Sequence, residues 1–389
     1  MTPPDLWGTF RASQYVVWGG EGQIYNNQAA FQTFPGIAII LAPIAKISSI
    51  FRLSASFPVN LPRPSAWLLL GPTNFILGAL LLFPLDRLAR RLLITARRRI
   101  FFLIVESALI WPSVALWGHP EDALSLALGI YGMLAAFDSA WFRVGAFFGL
   151  AIAVQPLILL IVPIALAFVP IRRWPLVTIE AVVPSLVLLL SPLIQEWGPT
   201  TQRLLRQPNF VLYNHPTPWI SLAPVLTPSH FTTIHSVRYV TLSDGHRQVV
   251  EVTKRVFLPA VVSAGPGRII AVLIACLVGV LAKLLKPSLT QVVWLTALVL
   301  SLRCLFEPVM VPYYLLPGLA LAVVIVSTSS HSRFTLAVVS ASVCTFLSYQ
   351  HLSPWVYYFA MAFPLLVVLA VSVPPSWRRP KESVEQMFG

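Results

Sequence analysis

Long apolar runs separated by short polar gaps make up most of the chain. A helix needs about 20 apolar residues to cross the hydrocarbon core of a bilayer. Runs of this kind lie near residues 35–52, 66–85, 100–117, 121–138, 142–170, 176–195, 268–285, 288–305, 311–328, 334–350 and 356–374. The pattern predicts an all-α, polytopic transmembrane protein with about 10–11 membrane segments.

The run at 142–170 is too long for one simple membrane helix, and Gln155-Pro156 stands near its middle. Proline removes a backbone hydrogen bond and kinks or breaks a helix. The run is therefore either one long bent span or two short helices that turn back, and the charge pattern favours the second.

Composition supports the membrane interpretation. The chain is 57% hydrophobic and 11% charged, with a mean hydropathy of +0.78, whereas soluble domains carry about 25% charged residues. A net charge of +13 would suggest nucleic acid as the partner of a soluble protein. Here the cations cluster in short gaps between apolar runs, which is typical of membrane topology signals. We therefore expect a lipid bilayer as partner and no nucleic acid.

The gap at 86–99 carries six arginines against one aspartate and is predicted to be cytoplasmic. Alternation from the basic tail then puts 196–267 outside. The turn at 118–122 also falls outside if 142–170 folds back. The chain is predicted to divide into five parts: an interfacial N-terminal segment (1–34), a membrane module (35–195), an extracytoplasmic segment (196–267), C-terminal membrane helices (268–374) and a cytoplasmic tail (375–389).

The turn Gly118-His119-Pro120-Glu121-Asp122 joins a base and two carboxylates between two apolar runs. Carboxylates in a first helical turn also favour the helix dipole, so a purely structural role stays open. A second group, Glu307 with Tyr313 and Tyr314, could anchor a polar ligand or form an interfacial aromatic belt.

The outer segment holds cations that the positive-inside tendency does not explain. Arg203, Arg206 and His215 could clamp a phosphate or bind anionic lipid headgroups. Glu106 and Glu180 lie inside apolar runs, where ionisable groups are costly and are paired, snorkelling or functional. No metal-ligand spacing, nucleotide-binding loop or serine-hydrolase elbow is present. The sequence indicates no cofactor and leaves a divalent metal open.

Several stretches together resemble one known family. They are Gly19-Gly20 with Tyr25 running into Phe34-Pro35, the Gly118-His119 turn, and Gly149-Leu-Ala-Ile-Ala-Val-Gln155-Pro156. The chain resembles the GT-C integral-membrane glycosyltransferases, specifically family 87, the polyprenol-phosphate-mannose-dependent mannosyltransferases. The likeness covers most of residues 1–200. Gln155 stands where the family usually has lysine.

The resemblance implies transfer of a sugar, with mannose expected, from a polyprenyl-phosphate donor to a lipid or glycan acceptor outside a plasma membrane. It implies a carboxylate base in the first outer loop, which Asp5 matches, with Glu121 or Asp122 as substitutes. It leaves the binding of donor and acceptor to His119, Arg203, Arg206, His215, Glu307, Tyr313 and Tyr314.

The position of Asp5 conflicts with the span count. If 35–52 and 66–85 both cross, residues 1–33 lie on the cytoplasmic side, away from a base of this family. The alternatives are a re-entrant span, a family first helix upstream of the chain, or a different base. A polytopic transporter or lipid flippase is the competing class, because of the break at Gln155-Pro156 and the intramembrane Glu106 and Glu180. A catalytically degenerate relative is a third possibility.

Overall fold

The computed structural model describes residues 4–25, 31–54, 64–211, 215–226, 231–241, 247–257, 260–262, 266–350 and 352–378. The helices are α1 Pro4–Val17, α2 Gly36–Ile50, α3 Trp67–Ala79, α4 Leu82–Arg91, α5 Ala96–Trp111, α6 Pro120–Phe137, α7 Trp141–Val154, α8 Val162–Leu166, α9 Trp174–Gln195, α10 Trp197–Arg206, α11 Pro266–Leu285, α12 Leu289–Phe306, α13 Leu316–Val326, α14 His331–Leu347, α15 Pro354–Ser372 and α16 Pro375–Arg378. The strands are β1 Pro208–Phe210, β2 His215–Pro216, β3 Phe231–Thr241, β4 Arg247–Phe257, β5 Ala260–Val262 and β6 Val309–Met310. The predicted helical class is confirmed.

Within the described ranges, six helical stretches are long and apolar enough to cross a membrane. They are Trp67–Arg91, Ala96–Leu116, Ile171–Gln195, Pro266–Leu285, Leu289–Phe306 and Pro354–Ser372. Large apolar side chains on these helices point outward, as in α11, where Ile269, Leu273, Leu277 and Leu284 are all exposed. Such a surface suits lipid and not water, because lipid chains solvate apolar groups without cost. The chain is a multi-pass membrane protein.

The helices end at two opposite faces. At one, which we call the arginine-rich face, Arg91 pairs with Asp138 at 2.6 Å and Arg98 donates to the carbonyl oxygen of Ser330. The other, which we call the His119 face, holds the ends of α5, α7, α9 and α12 and the beginnings of α6, α11 and α15. The described parts of the predicted outer segment 196–267 begin with α10, which follows α9 on this second face.

Residues 142–170 fold back on themselves, as the charge pattern predicted. Helix α7 ends at Val154, and a 3₁₀ segment, Pro156–Ile161, leads into α8. The rings of Phe137, just before α7, and Phe168, just after α8, lie 4.6 Å apart. Both ends of the stretch are therefore at the arginine-rich face, and the break at Gln155 stands at the His119 face.

The predicted span at 35–52 does not cross, which corrects the span count. Helix α2 begins against the backbone of Ala153 at the end of α7. It ends near Ser54, whose amide donates to the Ser65 hydroxyl just before α3. Because α3 and α4 continue from there to Arg91, both ends of α2 lie on the His119 face. Of the alternatives for the N-terminus, the structure therefore selects a span that does not cross, and Asp5 lies on the His119 face.

Helices α1 and α2 form a core of their own on the His119 face. Leu6, Phe10 and Leu41 are buried in it together with Leu70 of α3. Helix α1 is held by this apolar side, since a 14-residue helix is marginal alone. The N-terminal segment is thus packed onto the membrane helices.

Gly36 at the start of α2 offers a test of this packing. A Cβ there would lie 2.4 Å from the carbonyl oxygen of Ala153, a backbone atom that cannot swing away. We expect Gly36→Ala to lower the free energy of unfolding by about 1–3 kcal/mol through overpacking. Gly198→Ala is the matched control, since no atom lies within 4 Å of its added Cβ. Equal thermal stability of the two variants in detergent would contradict the arrangement.

The outer segment contains strands that the sequence analysis did not predict. Helix α10 is a short amphipathic piece, but β3 and β4 form an antiparallel hairpin with Phe231 opposite Phe257. A short pairing of β1 with β5 joins the two ends of the segment, and the pairing of β2 with β6 ties it to the connection between α12 and α13. The high content of valine, isoleucine and threonine in 231–257 was the available signal.

Candidate functional site

A tight turn positions His119 between two helices. Helix α5 ends in a π-helical turn, Pro112–Leu116, and Gly118 follows with a φ of +75°, a conformation that glycine adopts without strain. Pro120 then opens α6, where its missing N–H costs nothing. This local sequence explains why His119 projects from the turn and why two carboxylates occupy the next turn of helix.

His119 lies between carboxylates from two distant parts of the chain. Its Nδ1 is 2.7 Å from Glu121 Oε1, and its Nε2 is 3.0 Å from Asp5 Oδ2. The Asp122 carboxylate is 3.9 Å from Nδ1. Both ring nitrogens face acceptors, so the doubly protonated imidazolium satisfies both contacts. Four predicted site residues, Asp5, His119, Glu121 and Asp122, are thus brought together.

The members of this group differ in exposure. The side chain of Asp5 is 49% exposed, whereas those of Glu121 and Asp122 are 3% and 0% exposed. Among the described residues, none donates a hydrogen bond to Glu121 Oε2 or Asp122 Oδ2. A buried carboxylate oxygen without a donor is costly. The arrangement therefore offers one accessible carboxylate and, behind it, acceptor atoms that a ligand could use.

A chain of hydrogen bonds holds Asp122 from the other side. Gln155 Nε2 donates to Asp122 Oδ1 at 3.0 Å, and the Thr33 hydroxyl donates to Gln155 Oε1 at 3.1 Å. The buried Tyr25 hydroxyl donates to the Thr33 carbonyl oxygen at 2.8 Å. The break between α7 and the 3₁₀ segment is what lets Gln155 reach Asp122. Sequence reasoning had noted Gln155 and Tyr25 without a role in the site and had missed Thr33.

The second predicted group meets the first through an aromatic stack. The ring of Tyr313 lies 3.6 Å from that of His119, at an angle of 22°. An imidazolium over an aromatic face is a cation–π arrangement. The Glu307–Tyr314 region therefore borders the His119 turn, although 194 positions of sequence separate the two stacked residues.

A buried ion cluster lies behind Tyr313. Arg303 Nε donates to Glu307 Oε1 at 2.7 Å, and its guanidinium lies 3.9 Å from the ring centre of Tyr314. Arg268 Nε is 3.9 Å from the same Glu307 oxygen. Two cations thus share one carboxylate, and Arg303 is also close enough to Asp122 for their charges to interact. The i,i+4 spacing of Arg303 and Glu307 was readable from sequence, but the approach of Arg268 was not.

Other candidates lie apart from this group. Arg203 is half-buried and Arg206 exposed on α10, and neither bonds to the His119 group. The ring of His215 stacks on that of Tyr357, with their centres 3.5 Å apart. The ring of Tyr314 packs against the guanidinium of Arg303. Glu106 is fully buried in α5, with no hydrogen bond to a described residue. Glu180 lies against Gly145.

The charge of His119 predicts a pH dependence of stability. Burial disfavours its charged form, but Glu121 and Asp5 outweigh burial and raise the pKa of His119 well above its usual value of 6.5. A raised pKa stabilises the folded state fully below the unfolded pKa of about 6.5, and this stabilisation is lost as pH rises toward the folded pKa. We expect the difference in free energy of unfolding between the wild type and His119→Gln to be constant below about pH 6 and to shrink above it.

Unfolding in mixed micelles from pH 5 to 9 would measure this difference. The same variant pair on a Glu121→Gln background is the control, because removing that charge should flatten the dependence. A difference that grows with pH would show that His119 is neutral in the folded protein.

Among the described residues, no group of three or more His, Cys, Asp or Glu side chains is arranged to hold a metal ion. No protein-family model and no curated protein matches the chain. The site must therefore be interpreted from its own chemistry.

Proposed function

We propose that the protein is a membrane glycosyltransferase that moves a sugar from a polyprenyl-phosphate donor to a hydroxyl of a lipid or glycan acceptor. The observation that carries the proposal is the meeting of Asp5 with His119 and Glu121 at one face of the membrane helices. Mannose is the sugar that the resemblance to family 87 favours.

Asp5 is suited to act as the general base. Its Oδ2 faces His119, and the side chain is 49% exposed, so the carboxylate is accessible to an acceptor hydroxyl. The imidazolium donates a hydrogen bond to Asp5, and Glu121 holds the opposite edge of the ring. Glu121 thus orients His119, and His119 orients the Asp5 carboxylate that would act as the base.

The reaction then needs one proton transfer and one displacement. The acceptor oxygen attacks the anomeric carbon as Asp5 takes its proton. The bond from that carbon to the phosphate oxygen breaks, its electron pair leaves with the phosphate, and the configuration at the carbon inverts. The phosphate is a good leaving group, so no general acid is needed.

The cations behind Tyr313 support this chemistry. Arg303 and Arg268 together exceed the charge of Glu307 by one. The guanidinium groups of Arg268 and Arg303 would stabilise the charge that develops on the departing phosphate. We therefore assign phosphate stabilisation to Arg303 and Arg268, which contact Glu307, in place of the predicted Arg203 and Arg206.

We further propose that the His119 face is extracytoplasmic and that the membrane is the plasma membrane. The arginines of 86–99 end the helices on the opposite face, as the positive-inside tendency requires of a cytoplasmic side. Labelling of single cysteines at Arg97 and at Glu21 by an impermeant reagent tests this orientation. Reaction at residue 97 alone in intact cells would reverse it.

A transporter is the second candidate, and the break at Gln155-Pro156 favours it. Broken helices form midplane sites in transporters. Here, however, the break lies at the helix ends on the His119 face, where it lets Gln155 donate a hydrogen bond to Asp122. Uptake of labelled lipid-linked sugar into proteoliposomes without chemical transfer would support the transporter.

Transfer of labelled mannose from polyprenyl-phosphate-mannose tests the proposal directly. Membranes with and without the protein would be compared, with endogenous lipids and glycans as acceptors. Protein-dependent labelling is the expected result. Failure with mannose, glucose, galactose and arabinose donors would overturn the glycosyltransferase assignment.

A further inference from the structure

An apolar groove opens to the bilayer between α7, the fold-back segment 156–166 and α9. Its lining includes Phe148, Ile152, Leu166, Val177 and Ala181. Of the described residues that line it, only Thr178 carries a polar side chain. The groove has a volume of about 120 Å³, close to that of apolar cavities of about 150 Å³ that bind benzene. It can hold a stretch of hydrocarbon chain.

The groove is open on its lipid side. Leu159 and Val182, which line it, are 46% and 45% exposed. Both belong to helical segments surrounded by bilayer, so the hydrocarbon chains of neighbouring lipids have direct access. No polar molecule gains from entering, because a polar group there finds almost no partner. The occupant that fits this lining is an acyl chain.

Three cations stand where the groove approaches the arginine-rich face. Arg143 directly precedes Val144, which lines the groove, and Arg172 and Arg173 come at the start of α9, before Val177. All three side chains are exposed, and none bonds or pairs with a described residue. By contrast, the Nζ of nearby Lys283 donates a hydrogen bond to the Val169 carbonyl oxygen.

The nearest carboxylate does not cancel this charge. Glu180 lies two turns deeper in α9, against Gly145 of α7, and is not among the residues that line the groove. Arg91 and Arg90 on the same face, in contrast, are paired with Asp138 and Asp86. Among the described residues, Arg143, Arg172 and Arg173 therefore have no counter-ion, unlike Arg90 and Arg91.

We propose that this groove binds an anionic phospholipid of the leaflet at the arginine-rich face. One acyl chain would lie along Phe148 and Ala181, and the headgroup phosphate would contact Arg143, Arg172 and Arg173. Basic residues at a membrane surface attract anionic lipids, and basic pockets between membrane helices bind their headgroups. Because the groove joins α7 and α9 beside the fold-back, the lipid would brace the break that carries Gln155 to Asp122. The inference does not depend on the proposed transfer activity.

The test uses the full chain, delipidated in neutral detergent and titrated with phosphatidylglycerol or phosphatidylcholine of the same acyl chains. Bound lipid is counted by native mass spectrometry, and thermal stability is followed in parallel. We expect phosphatidylglycerol to bind at least about tenfold more tightly than phosphatidylcholine. The variant Arg143→Gln/Arg172→Gln/Arg173→Gln should lose this preference. Arg97→Gln/Lys286→Gln, which removes exposed cations elsewhere on the same face, should keep it.

Two further arms separate the parts of the proposal. Ala181→Phe fills the groove and should weaken phosphatidylglycerol binding while the three arginines remain. Glycerol phosphate, which has the headgroup charge without a chain, should neither bind tightly nor stabilise the protein. An unchanged lipid preference in the triple variant, or stabilisation by glycerol phosphate equal to that by the lipid, would overturn the proposal.

Discussion

Replacing Asp5 with asparagine should lower sugar transfer by about 10²- to 10⁴-fold, the range that a general base contributes. The amide keeps the size of the side chain but cannot accept the acceptor's proton. Its contact with His119 Nε2, 3.0 Å in the wild type, can still form through the amide oxygen. The loss should therefore fall on kcat in membranes supplied with polyprenyl-phosphate-mannose, with thermal stability changed much less.

Glu21→Gln is the matched control, because it removes an exposed carboxylate from the same N-terminal segment without touching His119. Transfer by this variant should equal that of the wild type. If Asp5→Asn is active and Glu121→Gln is inactive, the base is Glu121. If both are fully active, neither carboxylate is the base and the proposed mechanism is wrong.

Replacing Glu307 with glutamine should cost about 3–5 kcal/mol in the free energy of unfolding, the loss expected when a buried ion pair loses one partner. Glu307 is fully buried, and Arg303, at 2.7 Å, is 90% shielded from solvent. The substitution leaves Arg303 charged with no carboxylate in hydrogen-bonding contact, and it also removes the nearest anion from Arg268. Reversible unfolding by dodecyl sulfate in mixed micelles would measure the change.

Asp138→Asn provides the comparison at an ion pair that is exposed on both sides. Its partner Arg91 and Asp138 itself are 38% and 36% exposed, so the loss should be about 1 kcal/mol or less. Adding Arg303→Met to Glu307→Gln should restore most of the stability, because the uncompensated charge is then gone. Equal losses at Glu307 and Asp138 would contradict the buried cluster.

Much of the membrane architecture could be predicted because it depends on local composition. Runs such as 268–285 and 356–374 are apolar over the whole bilayer thickness, and helices there satisfy every backbone group internally. Pro156 indicated where the 142–170 stretch turns back, since proline removes a hydrogen bond at a known position. The run 35–52 was misread because apolar length alone does not distinguish a crossing helix from one packed on a single face.

The site was predictable as residue types and not as an arrangement. His119, Glu121 and Asp122 stand together in the sequence, and Asp5 came from the family resemblance. That Asp5 contacts His119 follows from the packing of α1 on α2 and α3, a contact across 114 residues. Arg203 and Arg206 were chosen as cations of the segment 196–267, whereas the cation that interacts with Glu307 and Asp122 is Arg303, inside an apolar run.

Hydropathy and backbone preferences over a few turns account for the class of protein, its helices, the break at Gln155 and the residue types available for chemistry. Packing between distant helices places the N-terminus on the His119 face, stacks Tyr313 on His119 and brings Arg268 beside Arg303 at Glu307. Those contacts join residues far apart in the chain. They are set by which apolar faces pack together, and no local pattern of residues specifies that choice.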